Sequence, residues 1–479
     1  MKKIVSLASL SVLVLLAQAQ TGYNINITLK PYKNSYIYLG YHYGKMKALA
    51  DSVLLDQNST GTFKGKQALP GGIYFIVSPR KEILFELLLD KQQNFSIKAD
   101  SAGLPNSVVF TGSADNTAFQ NYTKFANTTG MAINKANIAY AGARNAKDSA
   151  AITAEIKALA DKMQQHRDSI IKKQPHSILT ALFEAMKEPV VPPAAKHPKG
   201  KYDTAFAFHY YKSHFWDGVS FTDERLIRTP FFESKLIKYY KDLVSPNPDS
   251  INKEVDHMLL YSRSNKEMFK FLLVHFVQKY ISPEYMGQDA VFVHLFEKYI
   301  NNGQADFFTA QYKDHMTKRA YSLMANLIGQ PAANMEMVDS LDKPLPLYSI
   351  QSDMIVLCFW DPTCSHCKEV VPKVDSIYNA KWKKQGITVY GVMVDGGKET
   401  WLQFIREKGL KNWLHVYQLP SQQQVEASAG KAGFRQLYDV YQTPVLYLLD
   451  KDKRIVAKKL NYQQLDEVIN LKLKTSKSN

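Results

Sequence analysis

The three cysteines of this 479-residue chain, Cys358, Cys364 and Cys367, all lie within ten positions of one another. A secreted protein that used disulfides as staples would spread paired cysteines through its domains. The clustering therefore predicts that these cysteines serve chemistry and not structural cross-linking. The fold must therefore place this short stretch of chain where a substrate can reach it.

The residues around the cysteines predict a strand, a short turn and a helix. Met354 to Trp360 is an apolar run typical of a buried strand, and Cys364 is expected to open a helix that continues through Tyr378. A helix N-terminus has unpaired backbone amides and a positive dipole end, which favour a thiolate at Cys364. Only the thiolate attacks a disulfide. Cys367 follows one turn later and can close a disulfide with Cys364, so the pattern predicts a redox pair.

Three other interpretations of Cys-x-x-Cys fit less well. A zinc site needs two further ligands with their own spacing, and the chain has no second cysteine pair. A covalent haem motif needs His directly after the second cysteine, where this chain has Lys368. A structural disulfide that closes so short a loop would stabilise the fold little. We expect no metal and no cofactor.

Further sequence features follow in order along the last third of the chain. Phe359-Trp360 precedes Cys364-Ser365-His366-Cys367, Pro372 lies in the predicted helix, and a strand is predicted over Gly386 to Asp395. Thr443-Pro444 then precedes a strand over Val445 to Leu449, a hairpin turn at Asp450 to Lys453 leads into a strand over Arg454 to Leu460, and a closing helix covers Gln463 to Leu473. Over about Gln330 to Leu473 the sequence resembles the thioredoxin superfamily, and within it the exported TlpA-like disulfide reductases. The resemblance implies an α/β thioredoxin-like domain with thiol-disulfide oxidoreductase activity.

The resemblance also assigns roles to residues beside the cysteines. Pro444 falls where the family carries a cis-proline, and the backbone of Thr443 before it would be free to pair with a substrate segment. His366 lies between the cysteines, where a protonated imidazole would stabilise the thiolate, favour the reduced form and make the pair more oxidising. The catalytic candidates are thus Cys364, Cys367, Pro444, His366 and Thr443.

Two positions depart from the family pattern. Thioredoxins usually carry a buried acid where this chain has Cys358, and TlpA-like reductases often have a glutamate where it has Val370, with Glu369 one step away. The proton acceptor is therefore not assigned by the sequence, and Cys358 is expected to be an inert core residue. The direction of electron flow also stays open, because the Cys-x-His-Cys motif resembles exported oxidants whereas the surrounding domain resembles reductases.

The N-terminus predicts export. Lys2 and Lys3 precede an apolar run from Ile4 to Leu16, which closes on Ala17-Gln18-Ala19. This pattern is typical of a secretory signal peptide, and an uncleaved anchor is the alternative. The run is too short to span a bilayer, and no later stretch reaches that length, so we expect no transmembrane segment after cleavage. The expected location is the periplasm or outer envelope.

The chain is long enough for several domains and shows three patterns after the signal peptide at 1–19. Residues 20–113 are expected to form a β-sandwich-like domain, residues 114–329 a mostly α-helical domain, and residues 330–479 the thioredoxin-like domain. The predicted strands of the first are Asn24–Leu29, Ser35–Tyr43, Gly72–Ser78, Ile83–Leu89 and Asn94–Lys98. Helical spacing in the second covers Ala151–Lys173, Ser177–Met186, Pro230–Leu243, Ile251–Tyr280 and Gln304–Leu327.

Charge and motif content narrow the partners. The formal charge of +16 becomes +14 when Lys2 and Lys3 leave with the signal peptide, and the excess is spread without the basic blocks of a nucleic-acid arm. The expected partners are exported disulfide-containing client proteins and a membrane or periplasmic electron donor, with no nucleic acid. Two other functions are the alternatives: a peroxiredoxin-like peroxide reductase, whose Pro-x-x-x-Thr-x-x-Cys spacing is missing, and a non-catalytic binding protein on a thioredoxin scaffold.

Overall fold

Apolar and polar residues alternate along the first strand, where Tyr23, Ile25, Ile27 and Leu29 are buried and the residues between them are largely exposed. This period of two is that of a strand with one face on a core. The computed structural model describes residues 22–478, so the predicted signal peptide lies outside the described residues. The described chain divides into two units, one comprising the residues up to Leu243 with Tyr261–Met268, the other Val244–Leu260 with the residues from Phe269 onward.

The first unit begins with two four-stranded sheets that share a core. Their strands are β1 Tyr23–Lys30, β2 Tyr36–Tyr43, β3 Met46–Leu54, β4 Thr60–Gly65, β5 Gly72–Val77, β6 Ile83–Leu89, β7 Asn94–Asp100 and β8 Val109–Thr111. The strand orders are β4-β1-β7-β8 and β3-β2-β5-β6. Ile25 and Ile97 of one sheet belong to the same buried cluster as Leu39 and Ile76 of the other, which confirms the predicted sandwich.

Three of these strands, β3, β4 and β8, were not predicted from the sequence. Each lies at the edge of its sheet and is more exposed than the inner strands. An edge strand buries less of either face, so the apolar alternation that signals a strand is weak there.

The first unit continues with helices capped by polar side chains. Its helices are α1 Ala114–Ala141, α2 Ala146–Lys173, α3 Ile178–Ala185, α4 Thr204–Ser213 and α5 Phe232–Asp242. Ser113, Asn145 and Ser177 each accept a bond from a backbone NH in the first turn of the helix that follows. The helical character predicted for this part of the chain is confirmed.

The prediction of one continuous helical segment over Ile251–Tyr280 is wrong. The chain forms α6, Pro248–Tyr261, and α7, Lys266–Tyr280, with a break between them. The side chain of Asn265 accepts a bond of 2.9 Å from the backbone NH of Met268, which is an N-cap that starts a new helix. Two further helices follow, α8 Asp289–Leu295 and α9 Ala310–Met324.

The C-terminal domain is a six-stranded mixed sheet covered by helices on both faces. The strands are β9 Val338–Asp339, β10 Met354–Trp360, β11 Ile387–Met393, β12 Leu414–Tyr417, β13 Val445–Asp450 and β14 Ile455–Lys458, in the order β14-β13-β10-β11-β12-β9. The helices are α10 Ser365–Ala380, α11 Lys398–Lys408, α12 Pro420–Ser428, α13 Phe434–Leu437 and α14 Tyr462–Ser478. No helix among residues 22–478 is long and apolar enough to cross a membrane.

Strand β10 is the centre of this domain, because all seven of its residues are buried. It pairs in parallel with β11 and antiparallel with β13. Val356 and Trp360 point into one core, and Leu357 and Phe359 into the other. A strand with a core on each side reads as a continuous apolar run, which is why its bounds were predicted correctly.

Helices of the central segment are bonded to this sheet within the second unit. The ammonium of Lys458, on the edge strand β14, is ion-paired with Asp289 of α8 and donates to two oxygens of Asn326, each at 2.7 Å. The side chains of Lys458 and Asp289 are only 4% and 6% exposed. The domain boundary predicted at residue 329 therefore falls inside a closely bonded unit, and it stays a prediction.

Candidate active site

The turn between β10 and α10 places Cys364 at the start of a helix. Asp361 follows the last residue of β10, and its carboxylate accepts bonds of 2.7 Å from the backbone NH and the hydroxyl of Thr363. This small turn ends at Cys364, whose extended backbone (φ −69°, ψ 123°) makes it the N-cap of α10. The predicted placement of the thiol at a helix N-terminus is observed.

The sulfur of Cys364 has two close backbone neighbours. The NH of Cys367 donates to Sγ of Cys364 at 3.4 Å, and the thiol donates to the carbonyl oxygen of Thr443, also at 3.4 Å. Burial opposes ionisation of this half-buried thiol. Hydrogen bonds from the backbone of Cys367, from the side chain of Thr443 and from the backbone of His366 outweigh it and lower the pKa of Cys364. The arrangement favours a thiolate at this sulfur.

Cys367 has the opposite character. Its side chain is fully buried against the sheet, and burial raises the pKa of its thiol to about 12. The backbone NH of Asp361 lies 3.5 Å from its sulfur. All three cysteines are free thiols, so the structure is that of the reduced chain. An accessible acidic thiol next to a buried weak one is the arrangement of an attacking and a resolving cysteine.

Cys358 lies in the middle of β10, between Gly391 of β11 and Leu446 of β13. It is fully buried in the same apolar cluster as Cys367. Burial, and then the neighbouring Cys367, raises the pKa of its thiol well above the usual value. A protonated, enclosed thiol is a poor nucleophile, which is consistent with the inert core role that we expect for it.

No carboxylate within residues 22–478 is hydrogen-bonded to either sulfur of the pair. Glu369 is exposed and bonded to Lys373 at 2.8 Å, which lowers the pKa of the Glu369 carboxyl. It therefore does not replace the buried acid of the family pattern. The residue that accepts the proton of Cys367 stays unassigned.

The Thr443-Pro444 segment meets the cysteines although it follows them by about 80 positions. The peptide bond between Thr443 and Pro444 is cis, as predicted. The structure thus brings Cys364, Cys367, Thr443 and Pro444 together, while the side chain of His366 is exposed on the first turn of α10. The roles of these residues in catalysis remain predictions.

Sequence reasoning missed the residues on the opposite side of this site. His366 and Pro444 line a groove that also includes His315, Lys318 and Arg319, all on α9. These three lie at helical spacing on one face, but such a set is common on any solvent-facing helix. No group of three or more His, Cys, Asp or Glu in the described part of the chain could hold a metal ion.

Three family models match the chain in separate stretches. Residues 23–119 match a domain of unknown function, DUF4369, and residues 151–321 match another, DUF5106. Residues 328–458 match the AhpC/TSA family. A solved domain of a possible thiol-disulfide isomerase from Cytophaga hutchinsonii is 36% identical over 32% of this chain and 97% of its own length, with a TM-score of 0.28. The C-terminal domain belongs to the thioredoxin superfamily.

Other solved structures match the thioredoxin-like domain or more of the chain. The thioredoxin domain of a thiol-disulfide oxidoreductase from Bacteroides vulgatus is 26% identical over 29% of this chain and 96% of its own, with a TM-score of 0.25. A thioredoxin-like protein from Bacteroides caccae is 19% identical over 60% of this chain and 98% of its own, with a TM-score of 0.45. No curated protein matches the chain.

Proposed function

We propose that this chain is an exported thiol-disulfide oxidoreductase that reduces disulfides of exported client proteins through Cys364 and Cys367. The observation that carries the proposal is the contrast between the two sulfurs. Cys364 is accessible with a lowered thiol pKa, whereas Cys367 is buried with a thiol pKa of about 12. The thiolate attacks first, so the contrast sets the order of the two steps.

In the first step the Cys364 thiolate attacks one sulfur of the client disulfide. A mixed disulfide forms, and the other client sulfur leaves as a thiolate. In the second step the Cys367 thiol loses its proton and attacks the Cys364 sulfur, which closes the Cys364–Cys367 disulfide. The first client sulfur leaves and takes up a proton. Two electrons have moved from the pair to the client, and a dithiol donor must reduce the pair again.

The proposed location and partners follow from the sequence. The N-terminal pattern of Lys2, Lys3 and the apolar run to Leu16 supports export to the periplasm or outer envelope. Clients would then be exported proteins with disulfides, and the electron donor a membrane or periplasmic dithiol protein.

A peroxide reductase is the second candidate, because the AhpC/TSA family model matches residues 328–458. Such enzymes need an arginine to polarise the peroxide beside the reactive sulfur. Within residues 22–478, the sulfur of Cys364 is hydrogen-bonded to backbone groups of Cys367 and Thr443, and to no arginine. Disulfide exchange is therefore the better supported of the two.

The deciding experiment uses the full mature chain in its reduced form. Incubation with a small disulfide such as bis(2-hydroxyethyl) disulfide should oxidise the Cys364–Cys367 pair with release of two thiols, and the Cys364→Ser variant should be inactive. Hydrogen peroxide in place of the disulfide tests the alternative. Faster oxidation by peroxide than by the disulfide would favour the peroxide reductase. Equilibration with glutathione buffers then gives the reduction potential and hence the direction of electron flow.

A further inference from the structure

A groove of about 980 Å³ opens beside the redox pair. It is at the large end of the range for binding sites on proteins. Residues of α9 form one side, and the first turns of α10 form another. The segment from Tyr441 to Leu446 and the start of α14 complete it. All of these residues belong to the second compact unit.

The groove shares residues with the redox site. His366, two positions after Cys364, and Pro444, next to Thr443, both line it. Thr443 is in turn bonded to the sulfur of Cys364. A client segment that lies in the groove would therefore hold its own disulfide next to the attacking sulfur.

The lining of the groove has more positive than negative charge. Four cations line it, Lys318, Arg319, Lys373 and Lys459, against two carboxylates, Glu369 and Asp439. Two imidazoles, His315 and His366, add further capacity to donate hydrogen bonds. Apolar side chains also line the groove, among them Val370, Val445, Leu446 and Leu460.

Two of the cations are available to a ligand. Lys373 is paired with Glu369 at 2.8 Å, and both side chains are about half exposed. Lys318 is paired with Asp314 at 2.7 Å, with both side chains more than half exposed. Exposed pairs of this kind contribute only ~0–1 kcal/mol, so a client carboxylate can replace either acid at little cost.

The other two cations hold the groove in shape. Arg319 and Lys459 are both paired with Asp439, whose side chain is only 1% exposed. Burial opposes ionisation of Asp439, but Lys459 and Arg319 outweigh it and keep the pKa of this carboxyl below its usual value. Two cations share one carboxylate here, which leaves a net positive charge in this part of the groove lining.

The end of α9 and the residues that follow it are also bonded to α13, which lies shortly before Thr443 in the chain. Ser322 donates to the carbonyl of Gln436 at 2.5 Å, and Asn326 donates to the carbonyl of Leu437 at 2.9 Å. The wall that carries Lys318 is thus held in place before any client arrives. A preformed wall avoids the entropic cost of ordering it on binding.

We propose that this groove is the client-binding site and that it selects disulfides flanked by acidic residues. The inference rests on the proposed function, since it takes Cys364 as the attacking thiol. The central helical segment then has a definite role, because its α9 supplies one wall of the site.

The test is a pair of peptides that carry the same disulfide and differ only in Glu or Lys at the positions beside each cysteine. The rate constant for oxidation of the reduced full chain is measured by rapid mixing. We expect the acidic peptide to react about tenfold faster at low salt, the size of effect that two or three exposed charge contacts give. Salt at 0.5 M should remove most of the difference.

The Lys318→Glu/Lys373→Glu double variant should lose or reverse the preference. Lys384→Glu is the matched control, because Lys384 is exposed but lies beyond the C-terminal end of α10, about 24 Å along that 16-residue helix from the redox pair. The Lys384→Glu variant should prefer the acidic peptide as strongly as the unaltered chain does. For every variant, the rate with each peptide is divided by its rate with uncharged bis(2-hydroxyethyl) disulfide, so that a general change in reactivity is not mistaken for a change in preference.

The outcomes separate the two proposals. Equal rates for the acidic and basic peptides, or a preference that survives in the double variant, would overturn the groove assignment and leave disulfide exchange intact. Failure of the unaltered chain to react with the small disulfide would instead overturn the proposed function.

Discussion

The backbone NH of Cys367 points at the sulfur of Cys364, 3.4 Å away, so the resolving residue stabilises the attacking one through its main chain. The side chains of the two residues differ sharply, with the pKa lowered at Cys364 and raised to about 12 at Cys367. The first prediction concerns the pH at which each of the two thiols is alkylated. Iodoacetamide should alkylate Cys364 at a lower pH than it alkylates an ordinary cysteine, because a lowered pKa means that the thiolate is present at lower pH.

Cys367 should resist iodoacetamide until the pH approaches 12 or the chain unfolds. Peptide mapping of the alkylated chain at several pH values measures both rates. Faster labelling of Cys367 than of Cys364 in the folded chain would contradict the order of attack.

The second prediction is that a mixed disulfide with client accumulates when Cys364 is the remaining cysteine of the pair and not when Cys367 is. Cys367→Ser keeps the attacking thiol but cannot resolve the mixed disulfide, so it should accumulate client covalently bound to Cys364. Cys364→Ser should trap nothing, because the remaining Cys367 is buried and protonated. Non-reducing electrophoresis followed by mass spectrometry reads out both variants, and the reverse pattern would refute the assignment.

The third prediction concerns Cys358. Its thiol is fully enclosed and its pKa is raised by burial, so Cys358→Ala or Cys358→Val should leave the rate of disulfide reduction nearly unchanged. In Cys358→Ala, the removal of the sulfur should lower the free energy of unfolding by about 1–2 kcal/mol through the space left in the core. A large loss of rate in a variant that still folds would show that Cys358 transfers protons or takes part in exchange.

The fourth prediction separates two ways in which His366 can act. Its backbone NH is among the groups that lower the pKa of Cys364, and His366→Pro removes that NH together with the imidazole. His366→Ala removes the imidazole alone. Proline is tolerated in the first turn of a helix, so both variants should fold.

A rise in the pKa of Cys364 makes its thiolate less stable, so the reduced form of the pair becomes less stable and the pair more reducing. His366→Pro should therefore shift the reduction potential downward by about 30 mV for each unit by which the pKa of Cys364 rises. The shift in His366→Ala should be smaller. Equal shifts in the two variants, measured by equilibration with glutathione, would show that the imidazole and not the backbone controls the potential.

The fifth prediction concerns the buried pair of Lys458 and Asp289. Lys458→Met leaves the Asp289 carboxylate buried without its partner, which should cost about 3–5 kcal/mol. Addition of Asp289→Asn should recover part of the loss, because the unpaired charge is then gone. Tryptophan fluorescence during urea unfolding is a suitable probe, since four of the five tryptophans lie in the C-terminal domain. An unchanged midpoint for Lys458→Met would contradict the importance of the pair.

Local patterns predicted the strands and helices of the redox domain well and the helix boundaries of the central segment less well. The bounds of β10 and the start of α10 follow from an apolar run and a capping cysteine, both of which are local signals. The break between α6 and α7 was missed because no proline or glycine lies between Ser262 and Asn265, although the six polar residues from Ser262 to Glu267 interrupt the helical apolar spacing. The capping Asn265 is the short-range signal that marks this break.

The groove could not be predicted at all from the sequence. Arg319 and Asp439 are 120 positions apart, and their ion pair exists only because the tertiary fold brings α9 to the loop before Thr443. The cis bond at Pro444 was predicted only through the family resemblance, since most bonds before proline are trans.

The burial of Lys458 also has a consequence for the order in which the chain acquires structure. Its partners Asp289 and Asn326 precede it by 169 and 132 positions, so both have been synthesised before Lys458 appears. The last strand of the redox sheet can then close onto groups that are already present. A truncated chain that begins at residue 330 would have to bury this ammonium alone or leave the edge of its sheet open. The central helices would thus act as a template for the completion of the catalytic domain.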